Sequence, residues 1–600
     1  MLTRWGRSLD PAQPLPEYPR PQLSREQWTN LNGLWEHAFT STAERPSSWD
    51  GLIVVPFSPE APLSGVGRQL GPDEWLWYRR SFTAPDLPHG GRVLLHFGAV
   101  DQSCTVWVNG REAGTHTGGY LPFCFDVTDL VGKGEDLLEV RVRDLSETGL
   151  HSRGKQRLDR GTIWYTAQSG IWQTVWLEAV PSTYVDRLVL VPHLDIGALE
   201  VTVGASGFET LVPRSSTPEA RARITVSSEG REVGRAEATP GEPTSVTLSE
   251  VRPWTPDDPH LYDVEVVLGE DRVTSFAGLR SFGIGRDDDG HPRLLLNGQP
   301  VVHVGVLDQG YWPDGLLTPP SDEAMVHDIE TMKDLGFTML RKHVKIEPLR
   351  WYAHCDRLGM LVWQDMVNGG GAYRPLVTTK PATRPVRVSD RWHALFDRSD
   401  PDGRAEFRRE VRETVELLRN VVSLAVWTPF NEGWGQFDAN GIADEVASFD
   451  ATRQVNHASG WVDQGGGDIR SFHRYLFPFR MPRERWWRRE NRVVALTEYG
   501  GHSMRVEGHD WSPREFGYRH ARDQAELEAG FVELHEGLRG AVRAGLGALV
   551  YTQLSDVEDE LNGLLTWDRE VLKLDPEVVR GVTAGLSRGL TSRRPPSADR

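Results

Sequence analysis

The sequence predicts a multidomain chain with an N-terminal jelly-roll β-sandwich over residues 1–183, an immunoglobulin-like β-sandwich over 184–285 and a C-terminal (β/α)8 TIM barrel over 286–600. Three observations predict it. Short β-type runs recur between turn signals up to about residue 285, the aromatic content of those runs drops after residue 183, and from residue 286 buried-type runs alternate with helical patterns. A chain of 600 residues is also too long for one hydrophobic core.

In the first part the runs are LNGLWEHAF, WLWYRRSFTAP, GRVLLHFGAV, CTVWVNGREAG, DLLEVRVRDL and IWQTVWLEAV. VWVNGRE predicts a hairpin, because Asn109-Gly110 supplies the positive φ values that a two-residue turn demands. The second part continues with LEVTVGAS, ARITVSSEG, TSVTLSEV and LYDVEVVLGE, at spacings that suit a small sandwich. VRPWTPDDPHLY, with three prolines, predicts a rigid connection between two of its strands. The third part contains eight apolar runs, at 301–307, 337–343, 358–366, 421–432, 453–461, 469–475, 492–500 and 546–556. Helical segments separate several of them; SDEAMVHDIETMKDLG has Ser321 as N-cap and Gly336 as its stop. Eight parallel strands with intervening helices make a barrel whose chemistry lies at the C-terminal strand ends. SRRPPSADR at the end of the chain predicts a disordered tail.

The balance of 85 acidic against 67 basic side chains, a formal charge of -18, argues against nucleic acid and membranes as partners. Cys104, Cys124 and Cys355 are too few for a disulfide framework and are expected to be small core residues. With no apolar leader and no run long enough to span a bilayer, the expectation is a soluble cytoplasmic protein. The 22 tryptophans suit stacking on sugar rings and suit large cores equally.

Two of the barrel runs end in a carboxylate: VSLAVWTPFNEGWGQ in Glu432, on the fourth, and RVVALTEYGG in Glu498, on the seventh. Glycoside hydrolysis needs two such groups across one sugar, a proton donor and a nucleophile or base. The donor must stay protonated near neutral pH, which apolar surroundings and a neighbouring like charge favour; Trp427, Phe430 and Trp434 are expected to surround Glu432. Asn431 is placed to donate to a sugar hydroxyl. The rival readings are an ion pair at the barrel rim and a turn residue. Asp365, His473 and Tyr475 suit pocket contacts or a supporting role, with Tyr475 the better candidate for holding Glu498, because the sixth strand neighbours the seventh. Trp434 and Trp461 either stack on sugar or pack. Asp556, Glu558, Asp559 and Glu560 are expected to form a solvated acidic loop rather than a cation site, although the loop could touch the pocket; no metal or cofactor is expected.

LNGLW, VPFSPEAPLSGV, the VWVNG hairpin, SGIWQTVWLE and WTPDDPHLY occur in that order, followed by MKDLGFTMLRKH, WYAHCDRLGMLVWQDM, Asn431-Glu432 and TEYGG. On these elements the chain resembles glycoside hydrolase family 2, the β-galactosidases, β-glucuronidases and β-mannosidases, over nearly its whole length. The resemblance implies a retaining mechanism, with Glu432 as acid/base, Glu498 as nucleophile and Asn431 on the substrate 2-hydroxyl.

Departures from the family pattern concern the pocket. Where β-galactosidases commonly carry Asn-Arg-His-Glu, this chain reads Val306-Leu307-Asp308-Gln309-Gly310; where many members show Arg-x-Ser-His-Tyr-Pro, it has Arg341-Lys342-His343-Val344-Lys345. Thr174 stands in place of a sugar-binding aspartate, and no Asn-x-Lys pair follows the eighth strand. Asp308 and His343 are therefore candidates for substrate contact in an altered pocket, and Lys342, Lys345 and Glu347 either rebuild it or pair with one another. The expectation is an exo-acting, β-galactosidase-like enzyme that releases a terminal neutral sugar from an oligosaccharide or glycoside, with self-association open. A galactofuranosidase or arabinofuranosidase, a transglycosylase and a non-catalytic carbohydrate-binding protein remain alternatives.

Overall fold

The computed structural model describes residues 1–87, 90–206, 221–374, 377, 388–482 and 491–587; the predicted C-terminal tail lies outside them. The first sandwich packs a six-stranded sheet, in which Trp75–Thr83 and Glu135–Arg143 are central, on a four-stranded sheet built around Val175–Val180 and Arg92–Phe97. Alternate residues of both sheets, among them Trp35, Tyr78, Leu95, Val106, Val140 and Leu177, meet in one core. The Asn109-Gly110 turn joins Ser103–Val108 to Arg111–Thr117 with φ of 52° and 73°, as the sequence predicts. The second sandwich pairs a three-stranded with a four-stranded sheet over a Val- and Leu-rich core. Glu178, on the first sandwich, accepts from Arg20 and Arg25, and Arg25 also grips Asp271 of the second; this buried ion cluster ties the two sandwiches together.

The barrel strands are β1 (His303–Asp308), β2 (Met339–Lys342), β3 (Leu361–Asp365), β4 (Leu424–Thr428), β5 (Gln454–Val455), β6 (Ile469–Arg474), β7 (Val493–Gly500) and β8 (Leu546–Thr552). They form one parallel sheet in the order β5-β4-β3-β2-β1-β8-β7-β6. Seven of the eight fall within the runs that the sequence marks, and β1 extends its run by one residue, to Asp308. Helix α1 (Asp322–Asp334) starts at Ser321, whose hydroxyl accepts from Ala324 N, and Gly336 at φ 84° ends its last turn. Helices α2 (Leu349–Leu358), α3 (Pro401–Leu418), α4 (Ala439–Phe449), α5 (Gln524–Arg543) and α6 (Pro576–Ser587) complete the described outer layer. Among the described residues, no helix is long and apolar enough to cross a membrane.

Parity decides what each strand offers. Leu307, Met339, Trp363, Val426, Val493, Ala495 and Val550 fill the barrel interior, while Val306, Leu340, Val362 and Leu496 pack outward against the helices. Arg341 therefore shares the inner face with Met339, and Lys342 the outer face with Leu340. Three expectations fail. Cys104 and Cys355 are core residues, but Cys124 is exposed, on a cleft between the first sandwich and the barrel. Trp427 and Phe430 turn away from the barrel mouth, Trp427 toward Asp450 and Phe430 into a stack with Phe407, so they give Glu432 no aromatic wall. The acidic loop after β8 is buried, with Asp556, Glu558, Asp559 and Glu560 each 2% exposed. Lys573, Arg160, Tyr165 and the Thr166 N–H hold these carboxylates, which explains how they stay out of water.

Candidate active site

Glu432 enters the barrel mouth from the turn after β4. Its backbone is left-handed, φ 51°, and is fixed there by Glu432 N donating to Ser459 O at 2.9 Å. The turn depends on Gly435, where a Cβ would lie 1.9 Å from Gly369 O. Glu498 enters from β7 by a different device. Leu496 and Tyr499 both belong to the outer core, three positions apart instead of two, and the ladder register shifts between them. This bulge turns Glu498, which strict alternation would send outward, toward the interior.

Once inside, the two glutamates share one histidine. His473 Nδ1 is 2.8 Å from Glu432 Oε1 and 3.4 Å from Glu498 Oε2, and its Nε2 is 2.9 Å from the Ser459 hydroxyl. One ligand atom from each of Glu432, His473 and Glu498 lies within 4.8 Å of the other two. That is a donor set a cation could use, and it also puts the carboxylates at the separation at which both can act on one bond. Tyr475 donates its phenol O–H to Glu498 Oε2 at 2.5 Å and stacks on Tyr518 with ring centroids 3.9 Å apart. The Gly501 backbone makes room for that stack: a Cβ there would come within 2.5 Å of Tyr518.

Arg341, which sequence reasoning did not single out, is the hub. Wholly buried, it donates to Glu498 Oε1 at 3.0 Å, to Thr497 O at 3.0 Å, to Asn431 Oδ1 at 2.8 Å and to Asp365 Oδ1 at 3.0 Å. The available signal was an arginine on the inner parity of β2, two residues after Met339. Asn431 thus has its oxygen engaged, while its buried Nδ2 has no partner among the described residues. Asp365 divides its carboxylate between Arg341 and His343 Nδ1, the latter at 2.7 Å, so it orients those two groups rather than facing the mouth. His343, buried, is held down at about 4 and is neutral near pH 7, with burial the main cause.

Burial is also the largest influence on both glutamates and pushes them up. At Glu498 the His473 and Arg341 charges, helped by the Tyr475 hydrogen bond, outweigh it and hold the carboxyl down at about 2. At Glu432 burial and the Glu498 charge outweigh the His473 hydrogen bond and leave the carboxyl raised. The two carboxyls are therefore driven apart, one toward the acid and one toward the base form.

The remaining candidates divide. Trp434 lies beside His343, with centroids 5.7 Å apart, and stacks on Tyr373 at 5.9 Å. Trp461 packs edge-on to His473 at 5.5 Å and donates to Val377 O. Asp308 does not join the group. On the outer parity of β1 it accepts from Lys342 Nζ at 2.6 Å, and Lys342 also bonds Glu347 at 2.7 Å beneath the Trp351 ring. Lys345 pairs with Glu347 at 2.8 Å in the same buried cluster, so these charges brace β1, β2 and α2 and do not rebuild the pocket.

The first sandwich also reaches the mouth. Ser152 bridges to Gly369, Arg153 N donates to Asn368 O at 2.8 Å, and Trp164 packs on Trp434 and Tyr373 at 5.3 and 5.5 Å. These contacts join segments far apart in sequence, so no local pattern announces them.

Comparison with known proteins agrees with this architecture. The models for glycosyl hydrolases family 2, sugar binding domain, glycosyl hydrolases family 2, and glycosyl hydrolases family 2, TIM barrel domain, match residues 71–181, 183–280 and 292–537. A β-galactosidase of Streptococcus thermophilus is 25% identical over 390 residues, 63% of this chain and 35% of that protein. The β-galactosidase large subunit of Latilactobacillus sakei is 24% identical over 497 residues, 74% of each chain. The chain spans little more than a third of the length of the first of these curated relatives. Among solved structures, a β-glucuronidase of an uncultured Clostridium sp. superimposes with a TM-score of 0.73 at 17% identity, covering 94% of this chain and 99% of that one, which is a likeness of fold. Three consecutive models of a single family, matched in order across both sandwiches and the barrel, establish that the chain belongs to glycosyl hydrolases family 2.

Proposed function

We propose that the protein is a retaining exo-glycosidase that hydrolyses a terminal neutral sugar by double displacement, with Glu498 as nucleophile and Glu432 as acid/base. The single observation that carries this reading is the buried carboxyl pair, within 4.8 Å and with opposed protonation tendencies. Retaining enzymes hold their carboxyl groups about 5–5.5 Å apart, inverting ones about 6.5–9.5 Å, and only the shorter spacing suits this pair.

In the first step ionised Glu498, aligned by Arg341 and Tyr475, attacks the anomeric carbon while protonated Glu432 gives its proton to the leaving oxygen. Loss of the aglycone leaves Glu432 as a carboxylate, the form needed to draw a proton from water as that water displaces the sugar from Glu498. The Asn431 amide N–H2, without a partner among the described residues, is available to a 2-hydroxyl, an interaction that strengthens as positive charge builds on the ring. Membership of a hydrolase family with β-galactosidase relatives supports the same reading. Screening nitrophenyl pyranosides, furanosides and uronides tests it. At least one neutral glycoside should be cleaved, and Glu498→Ala should abolish the cleavage; an unreactive panel would overturn the reading.

A further inference from the structure

The segment from Ser152 to Thr166 leaves the first sandwich and enters the barrel mouth. Gly154 sits against the Val344 carbonyl, where a Cβ would come within 3.0 Å, next to His343. The following residue, Lys155, is only 5% exposed. A buried ammonium normally finds hydrogen-bond acceptors for its three donors. Lys155 Nζ has none among the described residues. Its contacts are an ion pair with Glu560 Oε2 at 4.0 Å, too long for a hydrogen bond, and the Tyr165 ring at 5.2 Å. Glu560 is itself anchored, with Asn562 donating to Oε1 at 3.0 Å and Tyr165 O–H donating to Oε2. The Lys155 charge is felt at both Glu432 and His343, and the Glu560 charge at Tyr518, which covers Tyr475. Phe516 pairs with Glu560 across an isolated bridge and packs on Tyr518 at 5.6 Å, and Gly154, the neighbour of Lys155, lies against Val344 beside His343, so both groups border the pocket that holds the carboxyl pair.

A gap of 4.0 Å between a donor-only and an acceptor-only group is spanned by one hydroxyl oxygen about 2.8 Å from each, accepting from the ammonium and donating to the carboxylate. Resting on the glycosidase reading above, we infer that Lys155 of the first sandwich and Glu560 of the loop after β8 clamp one hydroxyl of the sugar, which makes Lys155 a specificity-determining residue for neutral substrates. An anionic substituent is disfavoured there. It would stand beside Glu560 and Glu558, and Arg160 is already engaged by Glu558 and Asp559. Neither half of the clamp comes from the strand ends that carry the carboxyl pair, so the two domains would complete one sugar site.

The test compares wild type with Lys155→Met and Lys155→Gln on the neutral nitrophenyl glycoside that wild type cleaves fastest, on each monodeoxy analogue of it, and on the matching uronide. Ratios of kcat/KM between substrates do not depend on the fraction of a variant that folds. Both variants should lose about 10- to 100-fold on the parent, as expected for a charged hydrogen bond, yet less than about threefold on the one analogue lacking the clamped hydroxyl. Equal losses on every analogue, or no loss on the parent, would overturn the clamp while leaving the glycosidase reading intact. A wild-type preference for the uronide that vanishes in Lys155→Met would overturn the neutral assignment. A wild type that cleaves nothing in the set would remove the glycosidase reading, and the clamp with it.

Discussion

Arg341 and Glu498 meet at 3.0 Å with side-chain exposures of 0% and 6%, an ion pair in the middle of the barrel mouth. A carboxylate so placed would ordinarily be pushed toward its neutral form; the His473 and Arg341 charges together reverse that and give the proposed nucleophile its charge.

Arg341→Met should therefore act through Glu498. With the cation gone the Glu498 carboxyl moves up, so the acid limb of the kcat/KM profile shifts to higher pH and kcat falls by about 100-fold or more. Asp365 would lose one of its two partners, and thermal unfolding should show a loss of about 3–5 kcal/mol. An acid limb at the wild-type position would deny Arg341 this role.

Glu432 carries a raised carboxyl, so activity should decline as pH climbs through that value and the donor loses its proton. Glu432→Ala should slow substrates with poor leaving groups by about 1,000-fold or more and leave those with good leaving groups far less affected, with azide restoring turnover and yielding a glycosyl azide. An unchanged alkaline limb in the variant, or indifference to azide, would remove Glu432 from the acid/base step.

Tyr475→Phe removes one donor from Glu498 and keeps the ring that stacks on Tyr518. Turnover should fall about 10- to 100-fold with little change in melting temperature. A comparable loss of stability would mark the hydroxyl as structural.

Glu178 joins Arg20 and Arg25 where the two sandwiches meet. Burial, the largest influence, pushes its carboxyl up, but the neighbouring cations outweigh it and hold the group well below the usual range. A carboxyl depressed in the folded state contributes its full stability above about pH 4.5 and loses it as pH falls further. Glu178→Ala, leaving the buried Arg25 and the half-buried Arg20 short of a partner, should cost about 3–5 kcal/mol at pH 7 and less at pH 3, as read by denaturant unfolding. A difference that does not shrink with acid would contradict the ion-cluster account.

The eight barrel strands were legible in the sequence because each is a run of buried side chains bounded by turn signals, and two of the runs end in Glu432 and Glu498. What was not legible arises from departures from strict alternation and from contacts between distant segments. Alternation alone would face Glu498 outward, and only the bulge between Leu496 and Tyr499 turns it in. Parity also removes Asp308 from the mouth, since it shares the outer face with Lys342. The acidic run at Asp556–Glu560 looks solvated until Arg160 and Tyr165 of the first sandwich are placed against it. Arg341 was overlooked because an arginine next to a lysine and a histidine resembles a strand's polar exit, whereas in the barrel it lies at the centre of four hydrogen bonds.

The most direct test of the central claim is to incubate the protein with a 2-deoxy-2-fluoro analogue of its fastest-cleaved aryl glycoside and to map the modified peptide by mass spectrometry. A fluorosugar ester on Glu498, absent from Glu498→Ala, is the predicted result; an adduct on any other residue would contradict the account.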